Sequence, residues 1–328
     1  MALEVLMTAK TLARPGIDLL EQAGCSLSFL IDGTEAELAE TLRSKPFDAV
    51  ISRTLALTSE MIATAPALRV IARHGVGHNN VDVDAATQRG IPVLIADNAN
   101  GQSVAEHTLA LLLAVARRIP VLDAKIRAGA WPRSMTGLQL SGRTAGIVAF
   151  GAIGQKVGHM LKAVGMNIIA FDPHISDKAA HEVEWAGSLD ALLSRCDVVS
   201  LHSPLTAETA GMIDAERLAR MKKGAILINT ARGGLIVEEA LAEAVASGHL
   251  AGAGIDTFMD EPLAADHPFK PNDRIVMTPH MGGSTDAALD GVALSAAQNV
   301  IDMLIESQID RRLLVNPTVL DRLTTPVA

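Results

Sequence analysis

The chain contains no tyrosine, and its aromatic residues amount to 2% of 328 positions. Proteins that hold single-stranded nucleic acid lean on aromatic faces for stacking. Duplex binders need a basic surface, and here the formal net charge is -9, so a nucleic-acid partner is not expected. Cysteine is nearly missing too. Cys25 and Cys196 are the only two, too few for a disulfide framework, and they point to a reducing compartment. A long apolar run is also lacking. The strongest, Thr108–Ala116, is bounded by Glu106-His107 and Arg117-Arg118; it is too short for a bilayer and reads as a buried helix. The opening Met1-Ala-Leu-Glu-Val-Leu has neither the basic flank nor the apolar core of a secretory signal. A cytoplasmic protein with no membrane partner is expected.

What is present is apolar and ordered. Hydrophobic residues make up 49% and charged residues 20%, which suits a packed chain rather than a disordered one, and the length favours two domains. Short apolar runs alternate with longer helical patterns. The first strand candidates are Glu4–Thr8, Ser26–Ile31, Ala49–Ser52, Arg69–Ala72 and Val93–Ile95, with helices such as Gly16–Ala23 and Glu35–Arg43 between them. This β-α rhythm predicts a parallel sheet covered on both faces. A long helix, Ser103–Arg118, then interrupts it, followed by a second helix to Gly129 and the loop Ala130–Gly142. A new series begins at Thr144, with strands Ala145–Phe150, Asn167–Phe171, Val198–His202, Ala225–Asn229, Gly252–Asp256 and Ile275–Thr278, and a helix from Thr285 to Ser307 closes it. The tail Ile309–Ala328 has no series of its own. The fold class is therefore α/β, with two doubly wound parallel-sheet domains. Residues 102–287 are expected as one domain inserted into the other, 1–101 with 288–328, because the last helix and tail need a sheet to pack on. An active site is expected in the cleft between them. No repeat or low-complexity segment is present.

Chemistry concentrates after the strands of the second series. Ala149-Phe-Gly151-Ala152-Ile153-Gly154 follows the first strand and runs into a helix. This is the glycine-rich turn of dinucleotide binding with its first glycine replaced by Ala149. Gly151 would let the backbone approach a pyrophosphate, Gly154 would allow close helix-strand packing, and the helix N-terminus offers amides to the phosphates. The next strand ends at Asp172, whose carboxylate would accept from ribose hydroxyls and repel a 2′-phosphate. NAD is thus the expected cofactor, in the domain 102–287.

Three further strands end in Asn229-Thr230-Ala231-Arg232, Asp256-Thr-Phe-Met-Asp-Glu261 and Thr278-Pro-His280. Arg is a bidentate clamp for a carboxylate, His exchanges a proton near neutral pH, and Glu can orient that His and favour its charged form. Singly, each is an ordinary surface pair, loop or turn. Together, after a dinucleotide turn, they suit a 2-keto acid.

With these motifs in order, the chain resembles the D-isomer-specific 2-hydroxyacid dehydrogenase family. The likeness extends over Arg73-His-Gly-Val-Gly-His-Asn-Asn-Val-Asp82, Ser103-Val-Ala-Glu-His107, the glycine turn, His202-Ser-Pro-Leu-Thr206, Asn229–Gly234, Asp260-Glu-Pro262 and Thr278–Gly283. The resemblance implies a Rossmann NAD-binding domain inserted into a flavodoxin-like substrate domain, and hydride transfer between NAD and a small 2-hydroxy or 2-keto acid. It implies Arg232, Glu261 and His280 as the catalytic set. On the substrate side it implies the backbone at Val76 and Gly77, with Val76 near the nicotinamide, and Asn100. It also implies cofactor contacts from Ala152, Ile153, Ser203, Thr230–Arg232, Asp256 at the carboxamide, and Gly282 and Gly283 after His280. A homodimer is implied through the Ser103–Arg118 helix and the Trp131 loop.

Ser52-Arg53-Thr54, Gly77–Asp82 and Gly129-Ala-Trp-Pro-Arg133 place the chain nearest the phosphoglycerate dehydrogenase branch, in a short form without a regulatory domain. There Arg53 matches a position meeting a distal phosphate, and Arg133 one that reaches a neighbouring subunit's cleft in some members. A substrate with a second anionic group is expected, with both residues as plain surface arginines the alternative. Glyoxylate or hydroxypyruvate reduction, and a non-catalytic NAD-sensing corepressor, are the alternative functions. No metal is expected, since glycines separate His74 from His78 and keep them off one helix face. His202 is read as either a cofactor neighbour or a structural hydrogen-bond partner, Cys196 as a small hydrophobe, and the 12 methionines as core filler.

Overall fold

The computed structural model describes residues 2–96 and 99–323; the end of the tail, 324–328, lies outside them. The chain divides into two compact units, residues 1–100 with 285–328 and residues 101–284. The sequence pattern puts the second break three residues later, after 287. The difference lies in a cap: Thr285 accepts a hydrogen bond from the Ala288 amide and opens the helix Asp286–Leu304, so it belongs with that helix.

In the first unit, β1 (Leu3–Met7), β2 (Cys25–Phe29), β3 (Ala49–Ser52), β4 (Val70–Arg73) and β5 (Val93–Leu94) form a parallel sheet in the order β2-β1-β3-β4-β5. Every residue of β3 and β4 is buried, the mark of a strand covered on both faces. Alternation sorts the faces. Val5, Met7, Ile51, Val70 and Ala72 meet the small residues Ala293, Ala296, Ala297 and Val300 of the helix Asp286–Leu304, while Leu6, Val50, Ile71 and Val93 meet Leu38, Leu42 and Ile62. The tail joins this unit. Leu314 makes an antiparallel bridge to Leu94, and the segment ends in a short turn of helix, Leu320–Leu323.

The second unit holds β6 (Thr144–Val148), β7 (Asn167–Phe171), β8 (Glu184–Trp185), β9 (Val198–Leu201), β10 (Ile226–Asn229), β11 (Gly252–Ile255) and β12 (Ile275–Met277), parallel throughout, in the order β12-β11-β10-β9-β6-β7-β8. At two residues, β8 is too short to show a period, which is why the pattern does not reveal it. The helix Gly101–Arg117 starts two residues before Ser103 and buries Leu111, Leu112 and Val115 against Ile147, Ile226 and Ile228. Strand order reverses between β6 and β9, where open α/β sheets leave a crevice at the strand C-termini. No helix among the described residues is long and apolar enough to cross a membrane.

Asn316 fastens the tail to the first sheet. It is 4% exposed, accepts from the Val93 amide at 2.9 Å, and donates to Ile91 O at 3.0 Å and Thr87 Oγ1 at 2.9 Å. Asn316→Ala leaves two buried backbone partners, Val93 N and Ile91 O, unmet and is expected to destabilise this unit by about 2 kcal/mol. Urea unfolding measures it, and a change below about 0.5 kcal/mol would mean that the tail is not anchored there.

Candidate active site

The glycine turn follows β6. Ala149 adopts a left-handed backbone with φ 67°, a conformation that suits the glycine usually found there. Gly151 is the N-cap of the helix Ala152–Ala163 and supplies no side-chain cap, so the first-turn amides, Ala152 and Ile153 among them, face outward unpaired. A Cβ on Gly154 would lie 2.3 Å from Ala149 O, whereas one on Gly151 would meet open space. The first therefore must be glycine for packing, and the second leaves room for a ligand. Asp172, directly after β7, is 8% exposed. One of its oxygens accepts from the Phe150 amide at 2.9 Å and the other from His174 N at 2.8 Å. This ties β7 back to the turn and leaves each oxygen a further lone pair. The arrangement fits a dinucleotide: amides at a helix N-terminus for the phosphates, and a carboxylate beside them for a ribose.

After β9, the imidazole of His202 meets Ser200 Oγ at 2.9 Å and burial pushes it down to about 4, so the structure supplies the structural partner. Ser203 beside it is buried. After β10 the chain turns on Asn229, which is fully buried. Its Oδ1 accepts from Ala231 N and its Nδ2 donates to Arg232 O, at 3.0 and 2.8 Å. Thr230 Oγ1 meets Thr108 Oγ1 on the long helix at 2.8 Å. This local hook presents Arg232, whose Nη1 donates to Ala231 O at 2.6 Å. Burial pushes the Arg232 guanidinium below its ordinary value, and the charge of Glu261 opposes that shift. Arg232 and Glu261 thus sense each other electrostatically.

His280 lies after β12 with φ 52°. Its Nδ1 faces Glu261 Oε2 at 2.8 Å and Oε1 at 3.2 Å, leaving Nε2 directed elsewhere on a side chain 48% exposed. Asp256 underlies this loop. It is 1% exposed, and it accepts from Thr278 Oγ1 at 2.6 Å, Met281 N at 2.9 Å and Gly282 N at 2.8 Å, with His107 Nε2 at 3.3 Å. Burial by itself raises this carboxyl, but the hydrogen bonds from His107, Thr278 and the two amides outweigh it and hold Asp256 below its usual range. Gly283 follows, partly buried. The sequence motifs contain His107 and Thr278 but attach no role to either; their meeting at 2.9 Å joins the first helix of the unit to its last strand.

In the first unit, Arg73 at the end of β4 is 7% exposed and donates to Ser52 O, Arg53 O and Gly77 O at 2.6, 2.6 and 2.7 Å. It fixes the loops that carry Arg53, Val76 and Gly77. The Val76 and Gly77 amides meet no acceptor among the described residues, and Val76 exposes its side chain. Nor does the Arg53 guanidinium have a partner among the described residues. Burial first, then the fields of Arg53 and Arg73, push His74 down to about 4. Asn100 keeps a buried Oδ1 without a hydrogen bond among the described residues. Arg133, in the second unit, is exposed.

Strand order, glycine turn and clustered strand-end groups together define a dinucleotide-binding α/β protein. The family model for the D-isomer specific 2-hydroxyacid dehydrogenase NAD binding domain matches residues 109–282. The D-3-phosphoglycerate dehydrogenase of Mycobacterium tuberculosis is 46% identical over 257 residues, 77% of this chain and 48% of the relative. That of Archaeoglobus fulgidus is 36% identical over 302 residues, 91% of this chain and 57% of the relative. Among solved structures, the TT0316 protein from Thermus thermophilus superposes with a TM-score of 0.87 at 37% identity, covering 95% of this chain and 100% of that one. This chain belongs to the D-isomer specific 2-hydroxyacid dehydrogenase family, and its second unit holds the NAD-binding domain. It spans about half the length of the curated relatives it matches.

Two of the strand-end loops touch backbone to backbone. A Cβ on Gly233 would lie 1.9 Å from the carbonyl carbon of Phe258, so the Arg232 loop seats on the Glu261 loop only with glycine there. Gly233→Ala is expected to cost about 2–3 kcal/mol through overpacking. A melting temperature equal to that of the unmodified protein would show that the loops separate freely.

Proposed function

We propose that this chain is an NAD-dependent dehydrogenase interconverting a small 2-hydroxy acid and its 2-keto acid, of the phosphoglycerate dehydrogenase kind. The observation that carries the reading is the His280–Glu261 pair at 2.8 Å on the same sheet edge as the glycine turn and Arg232. Family membership and the names of the relatives support it.

The cofactor, when bound, exchanges a hydride with C2 of the substrate. The amides at Gly151–Gly154 would hold its pyrophosphate and Asp172 its ribose hydroxyls. Ser203, Thr230, Ala231, Gly282 and Gly283 would line it, and Asp256 would take the carboxamide through Oδ2, which accepts from Gly282 N alone among the described residues. In the first unit, the Val76 and Gly77 amides take the substrate carboxylate and Asn100 adds a polar contact. In the second, Arg232 clamps the acid and polarises the C2 carbonyl; a guanidinium remains charged despite its burial. Glu261 on Nδ1 leaves the proton at stake on Nε2 of His280. That nitrogen protonates the C2 oxygen in reduction and takes the hydroxyl proton in oxidation. Asp172 favours NAD over NADP. The reading also includes a reducing, cytoplasmic setting, supported by two buried, unpaired cysteines, and a homodimer, supported by Ile119, Ile126 and Trp131, exposed at 53, 47 and 76%. Light scattering at micromolar concentration should give twice the chain mass; a monomer would refute the dimer.

The deciding assay is oxidation of NADH, compared with NADPH, against a panel of 2-keto acids including glyoxylate, hydroxypyruvate and its 3-phosphate. Inactivity with all of them would favour a sensor. His280→Asn should lower turnover about 100-fold or more with NADH binding retained. Glu261→Gln removes the charge that favours the protonated imidazole, so the alkaline limb of the reduction profile should move toward acid. A fixed limb would unpair the two roles.

A second anionic group on the substrate is supported by the Arg53 guanidinium, which has no partner among the described residues and lies beside His74, itself uncharged near neutral pH. Arg133 is the further candidate. Arg53→Ala should lower kcat/KM for the 3-phosphate about 10-fold or more and leave hydroxypyruvate nearly unchanged. Equal loss for both substrates would exclude a distal anion contact at Arg53.

A further inference from the structure

Glu238 opens the helix Glu238–Ala246, and His267 lies in the segment before β12. Neither belongs to the machinery above, yet both side chains are nearly buried, at 13 and 10% exposure. The ring of His267 is fixed at both nitrogens. Its Nδ1 accepts from Phe269 N at 3.3 Å, so the proton sits on Nε2, which donates to Glu238 Oε2 at 3.0 Å. The other oxygen of Glu238 accepts from Met259 N at 3.0 Å. One residue earlier, Phe258 N donates to Glu261 Oε1 at 3.0 Å.

Two consecutive amides are therefore held by two carboxylates. One is locked by His267, and the other faces His280. Phe258 also packs edge-on against the His267 ring, with centroids 5.9 Å apart at 84°, and Phe269 closes on the same ring at 4.8 Å. The peptide between Phe258 and Met259 cannot rotate without breaking the Glu238 bond. Its orientation decides where the Phe258 carbonyl and the chain leading to Glu261 lie.

We infer that Glu238 and His267 are positioning residues: together they hold the Phe258–Met259 backbone so that Glu261 is aimed at His280. The inference rests on the proposed Glu261–His280 pairing, and its test is arranged to be read without substrate or cofactor.

The full chain, labelled with ¹⁵N in its imidazoles, is titrated by NMR, with the His280 signals assigned from His280→Asn. Glu238→Ala should move the His280 midpoint to lower pH, in the same direction as Glu261→Gln, and should have no further effect in a Glu261→Gln background. His267→Ala should behave like Glu238→Ala. His267→Gln, whose amide still donates to Glu238, should stay near the unmodified protein, and it remains informative if the alanine variants do not fold. In turnover of a 2-keto acid, Glu238→Ala should lower kcat about 10-fold, with KM for NADH within about two-fold, and again not in the Glu261→Gln background. An unmoved His280 midpoint in folded Glu238→Ala, or losses that simply multiply in the double variant, would overturn the inference. If the unmodified protein reduces no 2-keto acid, the dehydrogenase reading fails, and the titration still decides whether Glu238 acts through Glu261.

Discussion

Asp256 carries a buried negative charge at the end of β11, and such a charge is tolerable only when donors surround it. Those donors come from the segment that follows β12 and from His107 on the first helix of the unit. To deliver the amides of Met281 and Gly282, the chain must curl around the carboxylate. That curl puts His280 in a left-handed backbone, with its own N–H reaching the carbonyl oxygens of Asp256 and Thr278 at 2.7 and 3.0 Å. The unusual conformation of the proposed acid-base residue is thus the consequence of satisfying a neighbour, held by surroundings that over-determine it.

The same economy governs the other loops of that sheet edge. Asn229 closes its own turn through both ends of its amide, and Gly233 lets that turn rest on the Phe258 carbonyl. Side chains that must act within a fraction of an ångström are carried on short turns after buried strands, each turn braced by the next. Glu261 and His280 stand at exposed tips of these turns.

The first unit shows a different solution. Arg73 directs donors to three backbone carbonyls, those of Ser52, Arg53 and Gly77, and so sets the loops after β3 and β4. With Arg53 close to His74, the region is positive without a charged imidazole. Open amides at Val76 and Gly77 beside that field suit an acid.

Much of the fold was legible because buried parallel strands leave continuous apolar runs and because glycine and proline punctuate the turns between them. The cofactor turn was legible because its chemistry is local: amides, glycines and one carboxylate within a single β-α-β stretch. The two-residue strand β8 and the pairing of the tail with β5 left no periodic trace. Asn316 reads as an ordinary polar residue until Val93 and Ile91 are placed around it.

By itself, then, the sequence determined the alternation of strands and helices, the two parallel sheets, the nucleotide turn and the residue types on which the proposed chemistry draws, since these depend on local periodicity and on chemistry written into short motifs. Only the tertiary structure decided which residues brace them. His107 meets Thr278, and Glu238 and His267 close on the loop bearing Glu261, through hydrogen bonds between chain segments that no spacing rule connects. A buried polar group must find its partner wherever the packed chain brings one, and packing is a property of the whole unit.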